Sequence, residues 1–195
     1  MPHLRRQHPK LARADLGGPA TRALRGLCGV ALGAEEGGAM KLGIVGAGKE
    51  KFTPETEAEA KSLLQVVIRF HEPTLILSGH SPMGGVDLWA EELAAELGIP
   101  TRIHAPTRFT WGGPGGYKER NLAIAAGSDL VVCVVVRDYP PGFQGQRFET
   151  CYHCEQHGQD EPHVKSGGCW TAWKCRERAW IVVGETAGVG QEDCA

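Results

Sequence analysis

The spacing of apolar and polar positions divides the chain into short strand-like runs separated by helical stretches. Lys41–Gly46 carries Leu42, Ile44 and Val45 in one compact apolar run, a buried-strand pattern, and Gly46-Ala47-Gly48 then turns the chain. Thr53-Pro54-Glu55-Thr56-Glu57 is a helix start: threonine as N-cap, proline at the first helical position, acids in the first turn. Ala58, Ala60, Leu63, Leu64, Val67 and Ile68 continue it at helical spacing. A second strand is expected over 74–78, closing in Ser78-Gly79, and a second helix over 84–97 with Gly98 just past its end. Residues 100–104 read as a third strand, and 117–126 as a third helix stopped by Gly127. The β-branched run 129–136 reads as a central parallel strand covered on both faces. Residues 138–165 break the pattern; Ser166-Gly167-Gly168 then opens a last helix, and Trp180–Val183 is a last strand. Strand and helix alternating in this way build a parallel sheet with right-handed crossovers.

The chain has 195 residues, enough for one α/β domain with a real core. Residues 1–39 differ from the rest: basic residues are scattered among Gly, Ala and Pro without a period. They are expected to be a disordered extension, with the domain over 40–184 and a flexible tail over 185–195. A formal net charge of −2 removes the global basic field that drives nucleic-acid binding, though not a local patch. No apolar run approaches the length that spans a bilayer, so no membrane partner is expected. The seven cysteines are odd in number and most of them cluster late in the chain, which suits a metal better than a disulfide framework. A reducing cytoplasm is the expected compartment.

In an open parallel sheet, ligands sit beyond the carboxyl ends of the strands, where strand order reverses. Four stretches should meet there: Gly46-Ala47-Gly48; Ser78-Gly79 with Gly84-Gly85-Val86-Asp87; Arg120-Asn121; and Ser166-Gly167-Gly168 with Thr171. Glycine N–H groups and helix starts suit a phosphate, and Arg120 adds a planar fork of donors. Asp87 and Asn121 would read a sugar or base edge; Ser78, Ser166 and Thr171 add hydroxyls. Each also has an ordinary structural role: Asp87 as a first-turn helix acid, Arg120 as a surface cation, Ser166 as an N-cap. Trp111 and Tyr117 suit either stacking on a base or shielding the sheet edge.

Cys151-Tyr152-His153-Cys154 is a Cys-x-x-Cys knuckle, followed by His163 and Cys169. Three thiolates and one imidazole form a closed tetrahedral set suited to structural zinc. The insert over 138–169 has little apolar content, which fits a metal supplying its folding free energy. A redox Cys-x-x-Cys pair and a group of free buried cysteines are the alternatives. His153, His157 and Cys175 are spare donors. Since Cys169 lies in the Ser-Gly-Gly loop, a bound ion would also set the shape of the ligand pocket.

The stretch from Ser78-Gly79 through Gly84-Gly85-Val86-Asp87-Leu88-Trp89-Ala90 resembles the Ser-Gly-x-Ala-x-Gly-Ile-Asp segment of the DNA-processing protein A family. Arg120-Asn121-Leu122-Ala123-Ile124-Ala125 with Ser128-Asp129 is similar to that family's Arg-Asn-x-x-Ile-Ala…Ser-Asp segment, and Ser166-Gly167-Gly168 with Thr171-Ala172 to its Ser-Gly…Thr-Ala helix start. In this order they resemble the SLOG superfamily, Rossmann-like proteins that include the Lonely Guy phosphoribohydrolases and YspA-like proteins. The resemblance covers roughly residues 40–184 and implies a nucleotide or nucleotide-derived ligand. Lonely Guy enzymes carry Pro-Gly-Gly-x-Gly-Thr-x-x-Glu, whereas the matching loop here, from Ser166 to Lys174, has no glutamate in the catalytic place.

The resulting expectation is an α/β Rossmann-like three-layer sandwich with a five-stranded parallel sheet, order 3-2-1-4-5, and a zinc-binding insert. Three functions stay open. The first is binding or sensing of a nucleotide-derived small molecule. The second is hydrolysis of a nucleotide N-glycosidic bond, with Asp87 or Glu119 as the catalytic carboxylate. The third is binding of single-stranded DNA through Lys118, Arg120 and Lys165. A homo-oligomer is expected.

Overall fold

The computed structural model describes residues 39–158 and 161–184. Apart from residue 39, the extension expected over 1–39 lies outside the described residues, as does the tail over 185–195. The strands are β1 (Lys41–Gly46), β2 (Leu75–Ser78), β3 (Thr101–Ile103), β4 (Leu130–Val136) and β5 (Glu177–Val183). The helices are α1 (Pro54–His71), α2 (Val86–Glu96), α3 (Tyr117–Gly127), α4 (Tyr152–Glu155) and α5 (Gly167–Ala172), with a 3-10 turn at Lys49–Lys51. All strand pairs are parallel, in the order β3-β2-β1-β4-β5. The expected α/β class and strand order are therefore present. Chain order reverses between β1 and β4, so the edge above these two strands is where an open sheet of this type holds its ligands.

β4 shows why the sheet is sandwiched. All its residues are buried, as an uninterrupted LVVCVVV run requires. Val131, Cys133 and Val135 share a core with Ile124 and Ala125 of α3 and Cys169 and Ala172 of α5. The other layer is α1 and α2, which touch each other; α2 packs on β1 and β2, and α1 on β5. α1 starts with a reciprocal cap: Thr53 Oγ1 accepts from Thr56 N at 3.2 Å, and Thr53 N donates to Thr56 Oγ1 at 2.9 Å. Its buried face is Ala60, Leu63, Leu64, Val67 and Ile68, all positions singled out by the periodicity.

Some boundaries differ from expectation for identifiable reasons. β5 starts at Glu177, three residues before Trp180, because its ladder with β4 runs from Leu130↔Glu177 onward. Glu177 and Arg178 sit half-buried on an edge strand, so the apolar pattern misses them. α2 begins at Val86, since Gly84 and Gly85 adopt φ of 69° and 87°. β3 is only three residues long, all exposed. Within the insert, α4 is a single turn that polar sequence gave no reason to expect. The insert is tied to the sheet through Val164 N, which donates to Val136 O at 2.9 Å. Among the described residues, no helix is long and apolar enough to cross a membrane.

Candidate functional site

A cleft of about 270 Å³ opens at the carboxyl edge. Each of the four stretches singled out in the sequence contributes to its wall: Gly46, Ala47 and Gly48 after β1; Gly84 and Asp87 at the start of α2; Arg120 and Asn121 of α3; and Gly167 and Gly168 of α5. Ser81, Met83, Trp111 and Tyr117 complete it together with Glu50, which the sequence analysis missed. Glu50 lies in the 3-10 turn just after the Gly-x-Gly. That turn, which no periodicity announces, decides where the carboxylate goes.

Ser78, Gly79, Gly85, Ser166 and Thr171 do not line the cleft; they build it. Gly85 seats the α2 start on the β1 loop: a methyl there would lie 2.5 Å from Ala47 O and 2.6 Å from Lys49 N, at a φ that side chains avoid. Ser78 Oγ lies 2.9 Å from Asp87 O and 2.7 Å from Glu91 Oε1, while Glu91 Oε2 is 2.8 Å from His80 Nδ1. Ser166 Oγ caps α5 by accepting from Gly168 N at 3.1 Å. Thr171 Oγ1 donates back to Gly167 O at 3.4 Å. Glu119 is exposed and outside the cleft; its Oε2 accepts from Gly115 N at 2.7 Å and holds the glycine-rich loop.

Arg120 is a clamp as much as a charge. Its Nη1 donates to Gly79 O at 2.9 Å and to Asp87 Oδ2 at 3.3 Å, and its Nε donates to Asn121 Oδ1 at 2.9 Å. A Cβ at position 79 would sit 2.7 Å from the guanidinium carbon and 2.8 Å from Asp87 Oδ2, so only glycine leaves room for the pair. The Tyr117 ring lies 5.2 Å from the guanidinium. Asp87 is buried, which raises its pKa from 3.8 to about 6 despite the opposing pull of Arg120. Trp111 meets Trp170 edge-on at 5.0 Å and is 48% exposed, leaving ring surface open beside the cleft.

Cys151, Cys154, His163 and Cys169 come together in the insert. All four are buried, and their ligand atoms lie within 4.8 Å of one another. Cys151 caps α4, Cys154 is within it, His163 lies on the following segment and Cys169 is in α5. His163 Nδ1 lies 2.7 Å from Glu161 O. A carbonyl only accepts, so Nδ1 carries a proton and Nε2 is the nitrogen turned towards the sulfurs, 3.5 Å from Cys169 Sγ. Burial is outweighed by hydrogen bonds to Cys151 and Cys154, which raise the His163 pKa to about 10, so a bound cation displaces the Nε2 proton as well. Three thiols this close do not ionise alike. Hydrogen bonds from Cys154 and Cys169 hold the Cys151 pKa down, whereas Cys154 is pushed up by its bond to Cys151, and Cys169 by its bonds to Cys133 and Cys151. A cation that brings all three to thiolates displaces protons as it binds. The cluster can hold a metal ion.

Among the spare donors, Cys175 lies 3.6 Å from Ser128 O, away from the cluster, and His157 stacks on Trp173 at 4.2 Å. Cys133 was not foreseen near the centre, yet its Sγ is 3.8 Å from Cys169 Sγ. Its place on the α5-facing side of β4 is the signal that would have found it.

The centre and the cleft share the first turn of α5, where Gly167 and Gly168 line the cleft and Cys169 joins the sulfurs. A second tie runs from the β1 loop: Lys51 Nζ donates to Lys165 O at 2.8 Å, and burial lowers the Lys51 pKa.

No family model matches the chain, and no curated protein matches it. Among solved structures the chain is similar to the molybdenum cofactor carrier protein MCP from Chlamydomonas reinhardtii, at 23% identity and a TM-score of 0.37. The match takes in 49% of this chain and 61% of that one, so the chain spans about three fifths of that protein's length.

Proposed function

We propose that residues 40–184 form a SLOG-like domain that binds a nucleotide or nucleotide-derived ligand at the carboxyl edge of the sheet, beside a structural zinc ion. One observation carries the reading: glycine-bearing turns after β1, β2 and at α5 converge with Asp87, Arg120 and Asn121 on one cleft. The backbone N–H groups of Gly48 and Gly167 suit a phosphate, while those of Ala47 and Gly168 are bonded within the fold to Val134 O and Ser166 Oγ. Asp87 and Asn121 suit sugar hydroxyls or a base edge, and Trp111 offers a stacking face. Three thiolates with one imidazole, held by a backbone bond to the far ring nitrogen, are a donor set for zinc.

The lining argues against a nucleic-acid groove. It carries Glu50 and Asp87 against the one guanidinium of Arg120, whose Nε and Nη1 are already bonded within the fold. A small ligand held by backbone donors tolerates this balance, whereas a polyanion needs a surplus of cations.

A second reading, hydrolysis of an N-glycosidic bond, has one specific support: Asp87 titrates near 6, which suits a proton donor to a leaving base. One experiment separates the two. The zinc-loaded protein is screened by thermal shift with nucleoside monophosphates, and the same mixtures are assayed for free base. Binding alone raises Tm for one nucleotide with no base released; at a hundredfold excess over Kd the gain is about 2.7 kcal/mol. Base released by the wild type and not by Asp87→Asn would make it a hydrolase. No shift with any nucleotide would end the nucleotide reading.

A further inference from the structure

A second and larger space adjoins the cleft. It is a trough of about 850 Å³ between the start of α1 and the 140–145 segment. Glu50 and Met83 line both spaces. They mark the junction, and it lies on the glycine side of the cleft: the Glu50 carboxylate stands against Gly48, and Met83 precedes Gly84. Trp111, Tyr117, Arg120 and Asn121 line the cleft but not the trough. A phosphate on the glycine turns would therefore stand between two compartments. A sugar and base have the aromatic side; beyond the phosphate lies the trough.

Size and chemistry say what the trough takes. At about 270 Å³ the cleft falls just short of the ~300–1,000 Å³ of ordinary ligand pockets, whereas the trough alone, at about 850 Å³, lies within it. The trough wall is largely apolar, with Phe52, Pro141 and Phe143, and the Phe143 ring is fixed by stacking on Tyr139 at 4.6 Å. Its charged members are Glu50 and Glu55, with no lysine or arginine. Two carboxylates do not suit a second phosphate, and Arg147, outside that wall, lies over the Tyr139 and Phe143 rings at 5.4 and 5.9 Å. A neutral or cationic planar group would be accepted. Met83 is 61% exposed and stands at the junction, an adaptable side chain left facing solvent until something covers it.

We infer that the ligand is bipartite: a nucleotide whose phosphate is esterified to a neutral or cationic planar or apolar group, the nucleotide in the cleft and that group in the trough. This rests on the nucleotide reading above. It adds the class of ligand, a phosphodiester rather than a free monophosphate.

The test uses the full zinc-loaded chain and calorimetric titration. The probes are the methyl and phenyl esters of the four common ribonucleoside 5′-monophosphates. Both esters carry the same charge, so their difference reports the trough alone. The phenyl ester of the preferred nucleotide is expected to bind at least tenfold tighter than its methyl ester. Phe143→Ala should bring the phenyl ester to the methyl ester's affinity and leave the methyl ester unchanged. Pro141→Ser, at an exposed position that lines the trough and not the cleft, should do the same in part. Equal affinity of the two esters, or variants that weaken both alike, would overturn the inference while leaving the nucleotide reading in place. If neither ester nor any free monophosphate binds, the nucleotide reading falls and the inference with it.

Discussion

At the scale of single residues the cleft turns on Asp87 and Arg120. Burial holds the Asp87 proton more tightly in the folded protein, pKa about 6, than in the unfolded chain, where the ordinary value is 3.8. Its contribution to stability is therefore fullest below about pH 4 and is lost as pH rises through 6. Asp87→Asn removes that dependence. Between pH 5 and pH 7.5 the wild type should lose about 1.4 kcal/mol relative to Asp87→Asn, read from denaturant midpoints of both proteins at both pH values. A constant difference across that range would mean that Asp87 titrates normally. The sequence identified both residues, and it also supplied the ordinary readings that hold here for Ser166 as a cap. Arg120 is a clamp and not the surface cation of its ordinary reading. The partners it holds, Gly79 O and Asn121 Oδ1, follow from the fold alone. Likewise nothing in the sequence says that Ser78 would be engaged by Glu91, because that bond joins a strand end to the second turn of the next helix.

At the scale of elements, α5 matters most. It is only six residues long, yet its first turn faces the cleft and supplies a sulfur to the centre. The Cys-x-x-Cys spacing, His163 and Cys169 were all legible, because metal donors carry their own chemistry wherever the chain puts them. The ties that anchor the insert were not: Val164 N to Val136 O is a backbone bond, and Lys51 Nζ to Lys165 O joins two loops of unremarkable sequence. Within the insert, the apolar contacts include the aromatic pairs Tyr139 with Phe143 and Phe148 with Tyr152. Cys151→Ser is expected to abolish stoichiometric zinc, measured by elemental analysis of the dialysed protein, and to lower Tm. Full zinc in that variant would remove Cys151 from the ligand set.

At the scale of the whole molecule, a parallel sheet covered on both faces follows from the alternation of β-branched runs with amphipathic helices. A doubly covered strand such as β4 must be apolar throughout, and a crossover must return on the same hand. What stayed hidden sits at edges and in loops. The first residues of β5 are polar because an edge strand permits it, and Glu50 is aimed by a turn with no periodicity. The trough lies between a helix start and a loop that are ninety residues apart in sequence, so no local pattern announces it. If the cleft takes a nucleotide and the metal centre holds its wall in shape through α5, then removing the metal weakens binding. The most direct test is titration of the preferred nucleoside monophosphate into zinc-loaded protein and into protein stripped by a chelator. Saturable one-to-one binding to the loaded protein and at least tenfold weaker binding to the stripped protein are expected. Equal affinity in the two, or no binding to the loaded protein, would contradict that expectation.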